Sequence, residues 1–223
     1  MKKVGNQTYM LQNPVNIAST ACIVGPKEKA GPLYKYFDQT LDDEFWGEKS
    51  WEKAESKIIK ETVNMAIAKS GIASNDIDFC FAGDLLNQCI SSSFGLRETN
   101  IPFFGVFGAC STFVESSILA SMTIDGRFAT NVVCASSSHF CSAEKQFRFP
   151  LELGNQRPPT SQWTVTGAGS MILTASGTGP FITSFTPRKN CGHGYKRCKQ
   201  HGGCYGWCCT RYNCNTFKRY WQR

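Results

Sequence analysis

Apolar residues recur along the chain with two different spacings, which predict alternating strands and helices. Apolar runs bounded by Gly, Pro, Asn or Ser predict strands over residues 8–11, 15–24, 77–82, 101–107, 131–135, 163–175 and 180–186. Helical spacing predicts a helix over residues 51–70, with Ser50 as its N-cap and Gly71 just beyond its C-terminus. Two shorter helices are expected over residues 85–96 and 110–125. Strands that alternate with helices favour an α/β fold with a mostly parallel sheet flanked by helices.

The segment from Phe107 to Met122 carries the first candidate for chemistry. The apolar run before it predicts a buried strand, Gly108 and Ala109 predict a tight turn, and Cys110 occupies the expected start of a helix. Free backbone N–H groups and the positive end of the helix dipole would favour the thiolate form of this cysteine. Cys110 is therefore a candidate nucleophile or a wall of a ligand pocket. The alternative is a small buried residue at a strand-to-helix turn.

Two other polar side chains follow predicted strands. Asp84 comes just after the strand over residues 77–82, and His139 follows the serine-rich end of the strand over residues 131–135. Because open α/β sheets bind ligands beyond the carboxyl ends of their strands, we expect Asp84, Cys110 and His139 to line one pocket. Asp84 could there accept a hydrogen bond or a cation. The structural alternatives are a helix N-cap for Asp84 and a hydrogen-bonded turn residue for His139.

The positive charge of the chain is concentrated in its last 36 residues. Residues 188–223 hold 9 of the 24 Lys and Arg residues, none of the 17 acidic residues and 6 of the 12 Cys residues, whereas residues 1–187 carry a net charge of −2. This tail also contains no Ala, Val, Leu, Ile or Met, although these types are common in ordinary domains. The net charge of +7 is therefore a property of the tail and does not predict a basic surface on the rest of the molecule.

Three interpretations of the tail are open. A zinc module is one, although no two cysteines have the spacing of a zinc knuckle. Its candidate ligands would be Cys191, His193, Cys198, His201, Cys204, Cys208, Cys209 and Cys214. A basic arm with interleaved aromatic residues that binds nucleic acid is the second. We favour the third, a shift of reading frame, because the codons for residues 201–209, translated one base later, encode a segment rich in Gly and Ala like the rest of the chain.

The sequence predicts neither a membrane span nor a secretion signal. It contains no run of about 18 apolar residues, which is the length that a transmembrane helix needs. The opening segment, MKKVGNQTYMLQ, lacks the apolar core of a signal peptide.

The composition of the tail divides the chain into two parts. These are an α/β unit over residues 1–187 and an aberrant, basic, Cys-rich tail over residues 188–223, which is expected to be frameshifted and disordered.

A cysteine at a strand-to-helix turn, a serine-rich strand end and a G-x-G strand such as TVTGAGSMIL resemble the N-terminal half of the thiolase and ketoacyl synthase superfamily. Within it, the segments over residues 13–33, 81–88, 101–112 and 136–152 resemble the stage V sporulation protein AD family. This resemblance covers about residues 5–186 and implies one half of a thiolase-like fold, truncated relative to the family. It also implies that the helix behind Cys110 lacks its covering partner and exposes apolar surface. The tail, shifted by one base, is similar to the continuation of the family.

The resemblance implies a ligand and a place of action. The ligand would be pyridine-2,6-dicarboxylic acid (dipicolinate), bound as its calcium chelate, for uptake into the developing spore. The implied partners are membrane proteins of the same sporulation operon, and full-length members are expected to form homodimers. The implied location is the developing spore, peripheral to its inner membrane. No nucleic-acid partner, protein-bound metal or further cofactor is expected.

Cys110 matches the acyl-carrying nucleophile of the superfamily, so an acyltransferase of the ketoacyl synthase type is the alternative function. Such enzymes also need His, Asn or Cys partners from the second half of their fold, and the chain after Ala175 offers no such set. We therefore expect a binding protein that is not an enzyme, with Asp84, Cys110 and His139 as its ligand-binding residues.

Overall fold

The structure of the protein is a computed structural model that describes residues 2–86, 88–147 and 164–187, with side chains except those of residues 144–147. The described residues other than Pro187 belong to one compact unit, Met1–Thr186. The predictions of zinc ligands, a nucleic-acid arm, disorder and a shifted reading frame all concern residues 188–223. These predictions therefore lie outside the described residues.

Strands and helices alternate along the described chain, as the sequence predicts. The strands are β1 (Lys2–Val4), β2 (Thr8–Val24), β3 (Gln39–Thr40), β4 (Phe79–Asp84), β5 (Phe103–Gly105), β6 (Asn131–Ser138), β7 (Gly167–Thr174) and β8 (Phe181–Phe185). The helices are α1 (Pro26–Lys29), α2 (Trp51–Ser70), α3 (Ile90–Leu96), α4 (Thr112–Asp125) and α5 (Phe140–Phe147). Short 3₁₀ turns occupy Tyr34–Tyr36, Ser74–Asp76 and Ala109–Ser111.

The strands form one sheet in the order β1-β2-β7-β6-β4-β5, and β3 and β8 also pair with β2. Strand β4 runs parallel to both β5 and β6, as expected for an α/β unit. Strand β7 runs antiparallel to both of its neighbours, β6 and β2. The α/β architecture is confirmed, but the sheet is mixed rather than mostly parallel. The sequence did not reveal this because the apolar pattern of a strand buried on both faces carries no information about its direction.

Two apolar layers cover the two faces of the sheet, one under α2 and one under α4. In β6, Val133 and Ala135 belong to the layer under α2, whereas Val132 and Cys134 belong to the layer under α4. This separation follows from the alternation of side chains along a strand. Helix α2 contributes Ile58, Ile59 and Val63, and helix α4 contributes Ala120 and Ile124. Each fully buried aliphatic side chain stabilises the fold by about 1.5–3 kcal/mol.

Helix α2 has the bounds that its sequence predicts. The Ser50 hydroxyl accepts a hydrogen bond from the backbone N–H of Lys53 at 3.3 Å, which satisfies a donor of the first turn. Gly71 ends the helix in the left-handed conformation, with φ of 71°, which glycine adopts without strain. The N-cap and the glycine beyond the C-terminus therefore fix both ends of the longest helix among the described residues.

Two other elements differ from their predictions. The two strands predicted on either side of Pro14 form one continuous strand, β2. This is possible because the pairing of β2 with β8 shifts register between Met10 and Val15, so no ladder bond is required from the proline. The helix predicted over residues 85–96 begins only at Ile90, after an irregular segment.

Helix α4 leaves apolar side chains exposed, as the resemblance to half of a duplicated fold predicts. Val114 is 60% exposed and Met122 is 40% exposed. Within the described part of the chain, no helix has both the length and the apolar character needed to cross a membrane.

Gly83, near the end of β4, determines how closely the chain before α4 approaches the sheet. A Cβ atom at this position would lie 1.8 Å from the carbonyl oxygen of Val106 and 2.9 Å from Cγ2 of Thr112. The Val106 carbonyl has little freedom to move, because the N–H of the same residue donates to the carbonyl of Ala82 at 2.9 Å. The missing side chain at Gly83 thus allows the start of α4 to lie against β4.

We expect Gly83→Ala to lower the free energy of unfolding by about 3 kcal/mol, because the added methyl group must displace backbone on a neighbouring segment. Chemical denaturation of the wild-type chain and the variant measures the difference. Gly105→Ala on the adjacent strand is the control, since its Cβ would meet only the Phe103 ring at 3.5 Å. Unchanged stability of Gly83→Ala would contradict the proposed packing constraint.

Candidate functional site

A cleft of about 600 Å³ opens at the carboxyl ends of β4 and β6, beside the start of α4. The first residues of β7 and the last residues of β2 complete its wall. Its lining residues are Cys22, Val24, Asp84, Leu85, Ala109, Cys110, Thr112, Phe113, Ser136, Ser137, Ser138, Thr164, Val165, Gly167, Ala168 and Gly169. The cleft thus lies where an α/β sheet is expected to bind a ligand.

The floor of this cleft is a row of small residues that crosses three strands. Gly169 of β7 pairs with Cys22 of β2 on one side and with Ser136 of β6 on the other. We call Cys22, Gly169 and Ser136 the small-residue row. Two positions further along the same strands, Met171 and Cys134 belong to the apolar layer under α4. The cleft therefore forms where the cover of α4 ends and the side chains of the sheet become small.

Cys110 lies in this cleft and is exposed to solvent. It belongs to the 3₁₀ turn that precedes α4, so the helix begins two residues later than the sequence predicts. Ala109, beside it, has φ of 49°, a conformation that is strained for a residue with a side chain. The thiol therefore lines the cleft as predicted, and the alternative of a small buried residue at this turn is excluded.

The first turn of α4 has no side-chain cap. The Ser111 hydroxyl donates instead to the carbonyl of Gly108 at 2.8 Å, and its side chain makes no hydrogen bond to an amide of the helix. The hydroxyl of Thr112 accepts from the N–H of Gly108 at 3.1 Å and donates to the carbonyl of Ala109 at 2.9 Å. The backbone N–H groups of Ser111 and Thr112 donate to the carbonyls of Gly108 and Ala109, so the 3₁₀ turn already uses these two donors. The positive end of the helix dipole at this terminus still favours negative charge.

Asp84 also lines the cleft, but the protein itself occupies its carboxylate. One oxygen accepts from the N–H of Leu86 at 3.0 Å, and the other accepts from both the N–H and the hydroxyl of Ser92 at 2.8 Å. Ser92 is the third residue of α3, so Asp84 caps this helix from the end of β4. The structural alternative for Asp84 is therefore present in the molecule, and its role in ligand binding stays a prediction.

His139 does not line the cleft, and the prediction that it shares one pocket with Asp84 and Cys110 is wrong in this respect. The imidazole is fully buried, with Nε2 at 2.8 Å from the carbonyl oxygen of Glu44 and Nδ1 at 3.2 Å from the N–H of Cys141. Side chains alternate at the end of β6, so Ser136 and Ser138 face the cleft and the next residue turns away. His139 is therefore the hydrogen-bonded turn residue that the sequence left as its alternative.

A buried carboxyl group, Glu55 of α2, was not predicted from the sequence. Its two oxygens lie 3.0 Å from the hydroxyls of Ser137 and Ser142. Burial, followed by the nearby charge of Asp84, raises the pKa of Glu55 to about 7, against the opposing effect of the serine hydroxyls. The available signal was its spacing, because Glu55 precedes Ile58 and Ile59 by three and four positions and thus lies on the buried stripe of α2.

The raised pKa of Glu55 links stability to pH. The folded chain retains the proton of this group up to about pH 7, whereas an unfolded glutamate releases it near 4.5. Its stabilising effect is therefore complete below pH 4.5 and is lost as the pH rises through 7, a change of about 3 kcal/mol. We expect Glu55→Gln to remove most of this pH dependence while its amide retains bonds to the serines. Denaturation at pH 5, 6, 7 and 8 tests this, and parallel profiles of wild type and variant would contradict it.

Comparisons with known proteins identify the family and the fold. A family model described as Stage V sporulation protein AD matches residues 5–217, a range that extends into the tail. Stage V sporulation protein AD of Bacillus subtilis (strain 168) is 43% identical over 189 residues, which are 85% of this chain and 56% of the relative. The chain thus spans little more than half the length of this relative. The shift of reading frame in the tail stays a prediction.

Solved structures with the same fold are enzymes of the thiolase-like group. The structure of 3-oxoacyl-[acyl-carrier-protein] synthase III from Aquifex aeolicus matches 73% of this chain and 54% of its own, with a TM-score of 0.50 and 15% identity. A variant of OleA from Xanthomonas campestris matches 74% of this chain and 57% of its own, with a TM-score of 0.51 and 15% identity. At this identity the likeness shows the fold alone, which is thiolase-like. From the family match and the relative together, the chain belongs to the stage V sporulation protein AD family.

Proposed function

We propose that this member of a sporulation protein family binds dipicolinate, as its calcium chelate, in the cleft beside Cys110. The resemblance to the family implies the ligand, and the cleft supports it. The observation that carries the proposal is the start of α4, with the positive end of its helix dipole, beside a cleft lined by the hydroxyl residues Ser136 and Thr164. Together these groups offer donors to the carboxylate oxygens of a small ligand.

The charge of the cleft favours the chelate over the free dianion. Among the described lining residues, Asp84 contributes a carboxylate, and no Lys, Arg or His contributes a positive charge. Glu115 adds a second acidic side chain in the first turn of α4. A dianion would meet repulsion there, whereas one calcium ion neutralises dipicolinate and leaves its oxygens able to accept hydrogen bonds. The ligand would bring the calcium with it, because the oxygens of Asp84 already accept three hydrogen bonds.

Within this proposal Cys110 is a wall of the cleft and does not act as a catalyst. A cysteine nucleophile needs a base that accepts its proton, and the described lining of the cleft contains no histidine or lysine for that purpose. We further propose that the bound chelate is passed to membrane proteins of the same operon. The protein would work as a homodimer at the inner membrane of the developing spore, where it is peripheral.

Calorimetry of the full chain tests the ligand. We expect calcium dipicolinate to bind to one site, metal-free dipicolinate in the presence of a chelator to bind more weakly, and calcium alone to give no saturable heat. The difference reflects the negative charge of the cleft, so lower ionic strength should enlarge it. Absence of saturable binding by either form of dipicolinate to the folded chain would refute the proposed function, and tighter binding of the free dianion would refute the role of calcium.

Cys110→Ala tests whether the thiol only lines the cleft or makes a specific bond to the ligand. We expect the affinity for calcium dipicolinate to fall by less than about tenfold, or 1.4 kcal/mol, because the change removes contact area and leaves the hydroxyl residues of the cleft in place. Cys89→Ala is the matched control, since Cys89 is a half-buried cysteine outside the described lining of the cleft. A loss of more than a hundredfold in Cys110→Ala alone would mean that the thiol makes a specific bond to the ligand.

Acyl transfer is the second candidate, because Cys110 is exposed in the cleft at the start of a helix. In that reaction Sγ would attack the carbonyl carbon of an acyl thioester, form a new thioester and release the thiol of coenzyme A. Mass spectrometry of the intact chain after incubation with acyl-CoA separates the two functions. We expect no adduct, and an acyl group that is present on the wild type but absent from Cys110→Ala would favour the enzyme.

A further inference from the structure

The strand β7 contains two glycines, and only one of them is explained by packing. A Cβ atom on Gly167 would lie 2.7 Å from the carbonyl oxygen of Ile23 and 3.2 Å from Cα of Val24. The close approach of β2 therefore requires glycine at this position. A Cβ atom on Gly169 would meet no atom within 4 Å.

Backbone conformation does not explain Gly169 either. Gly169 is paired on both sides within the sheet, and its φ is not among the positive values of the chain. Glycine in the interior of a strand lowers stability, because it loses more conformational entropy on folding and contributes no side chain to packing. A residue with a side chain would thus fit this position and stabilise the strand. What glycine provides here is open space, and that space belongs to the cleft.

The location of this open space shows what it could accommodate. Gly169 is the central member of the small-residue row, with Cys22 and Ser136 as its cross-strand neighbours. Directly opposed side chains on neighbouring strands lie about 5 Å apart, so a side chain larger than alanine at position 169 would extend into the space between these two neighbours. Without it, the backbone of β7 itself forms the middle of the floor. A glycine inside a strand often marks a place where a ligand approaches the backbone closely.

We infer that Gly169 sets the size limit of the cleft floor, so that a flat ring, as in the proposed ligand, can lie against the backbone of β7 at this residue. This inference rests on the proposed function and names the residue that limits the space for the ligand. A flat ring can contact the exposed peptide groups over its whole face. Phe113, the aromatic side chain in the described lining of the cleft, supplies an apolar surface for the same ring.

The test compares Gly169→Ala and Gly169→Val with the wild type, using the full chain. Gly105→Ala on the edge strand β5 is the matched control, because it adds a methyl group to a strand outside the described lining of the cleft. Three quantities are measured for each protein. The first is the thermal midpoint without ligand, and the second is the affinity for each of calcium dipicolinate, benzoate and isophthalate. The third is the rate at which iodoacetamide alkylates Cys22, which peptide mass spectrometry monitors.

We expect unchanged or higher thermal midpoints for both Gly169 variants, because alanine loses less conformational entropy on folding than glycine and valine has a high strand propensity. The affinity for calcium dipicolinate should fall about tenfold in Gly169→Ala, which adds one carbon atom, and about a hundredfold in Gly169→Val, which adds three, since a single added methylene in a pocket already changes binding by about tenfold or more. Alkylation of Cys22 should be slower in Gly169→Val, and Gly105→Ala should match the wild type in affinity and alkylation. If Gly169 had a purely structural role, its replacement would not raise the thermal midpoint and at the same time lower the affinity for the ligand.

Each contrary outcome is decisive. Wild-type affinity in Gly169→Val would overturn the size limit and leave the proposed function standing. If the wild type binds benzoate or isophthalate but not dipicolinate, the proposed ligand fails while the flat-ring inference stands. If it binds none of these rings, both fail, and an unchanged rate of Cys22 alkylation in Gly169→Val would then also exclude Gly169 as a limit on access to the floor.

Discussion

The site depends on the hydrogen bonds that the carboxylate of Asp84 accepts. This carboxylate binds the backbone of Leu86 and both donors of Ser92, and so joins the end of β4 to the loop that follows and to helix α3. The N–H of Leu85, next to it, donates to the carbonyl of Ser137, which joins the same loop to β6. Asp84 is almost fully buried, and a buried carboxylate with three donors keeps its position because the loss of these bonds would leave its oxygens short of partners. One wall of the cleft is therefore rigid before any ligand arrives.

The opposite wall and the floor of the cleft depend on residues with small side chains or none. Gly83 admits the chain before α4 close to β4, and the small-residue row leaves the sheet bare just where α4 begins. Both features act on one face of the sheet, because alternate residues of each strand face the same side. On the opposite face, the same strand ends meet α2, and there Ser137 contacts Glu55. The end of the sheet thus combines an open polar cleft on one face with a buried polar cluster on the other.

Much of the fold could be predicted from the sequence, because its signals are local. The 51–70 helix carries its own N-cap and terminal glycine, and Cys110 marks the turn before α4 at the place where the cleft lies. The sequence could not show that β7 runs antiparallel to its neighbours, because the apolar residues of a buried strand do not encode its direction. His139 was misplaced because the end of a strand predicts where a residue lies but not to which face its side chain turns. Glu55 was overlooked because charged residues on helices are usually exposed, although its spacing placed it among buried residues.

Fold likeness to acyl-transferring enzymes does not by itself carry their chemistry to this chain, since one fold supports many functions. In the described residues, a cleft at the end of the sheet contains a thiol and lies beside the start of a helix. Turnover needs in addition a group that accepts the proton of the thiol, and the described cleft wall contains no histidine or lysine. The proposed binding function therefore rests on the hydroxyl residues of the cleft and on its open floor at Gly169.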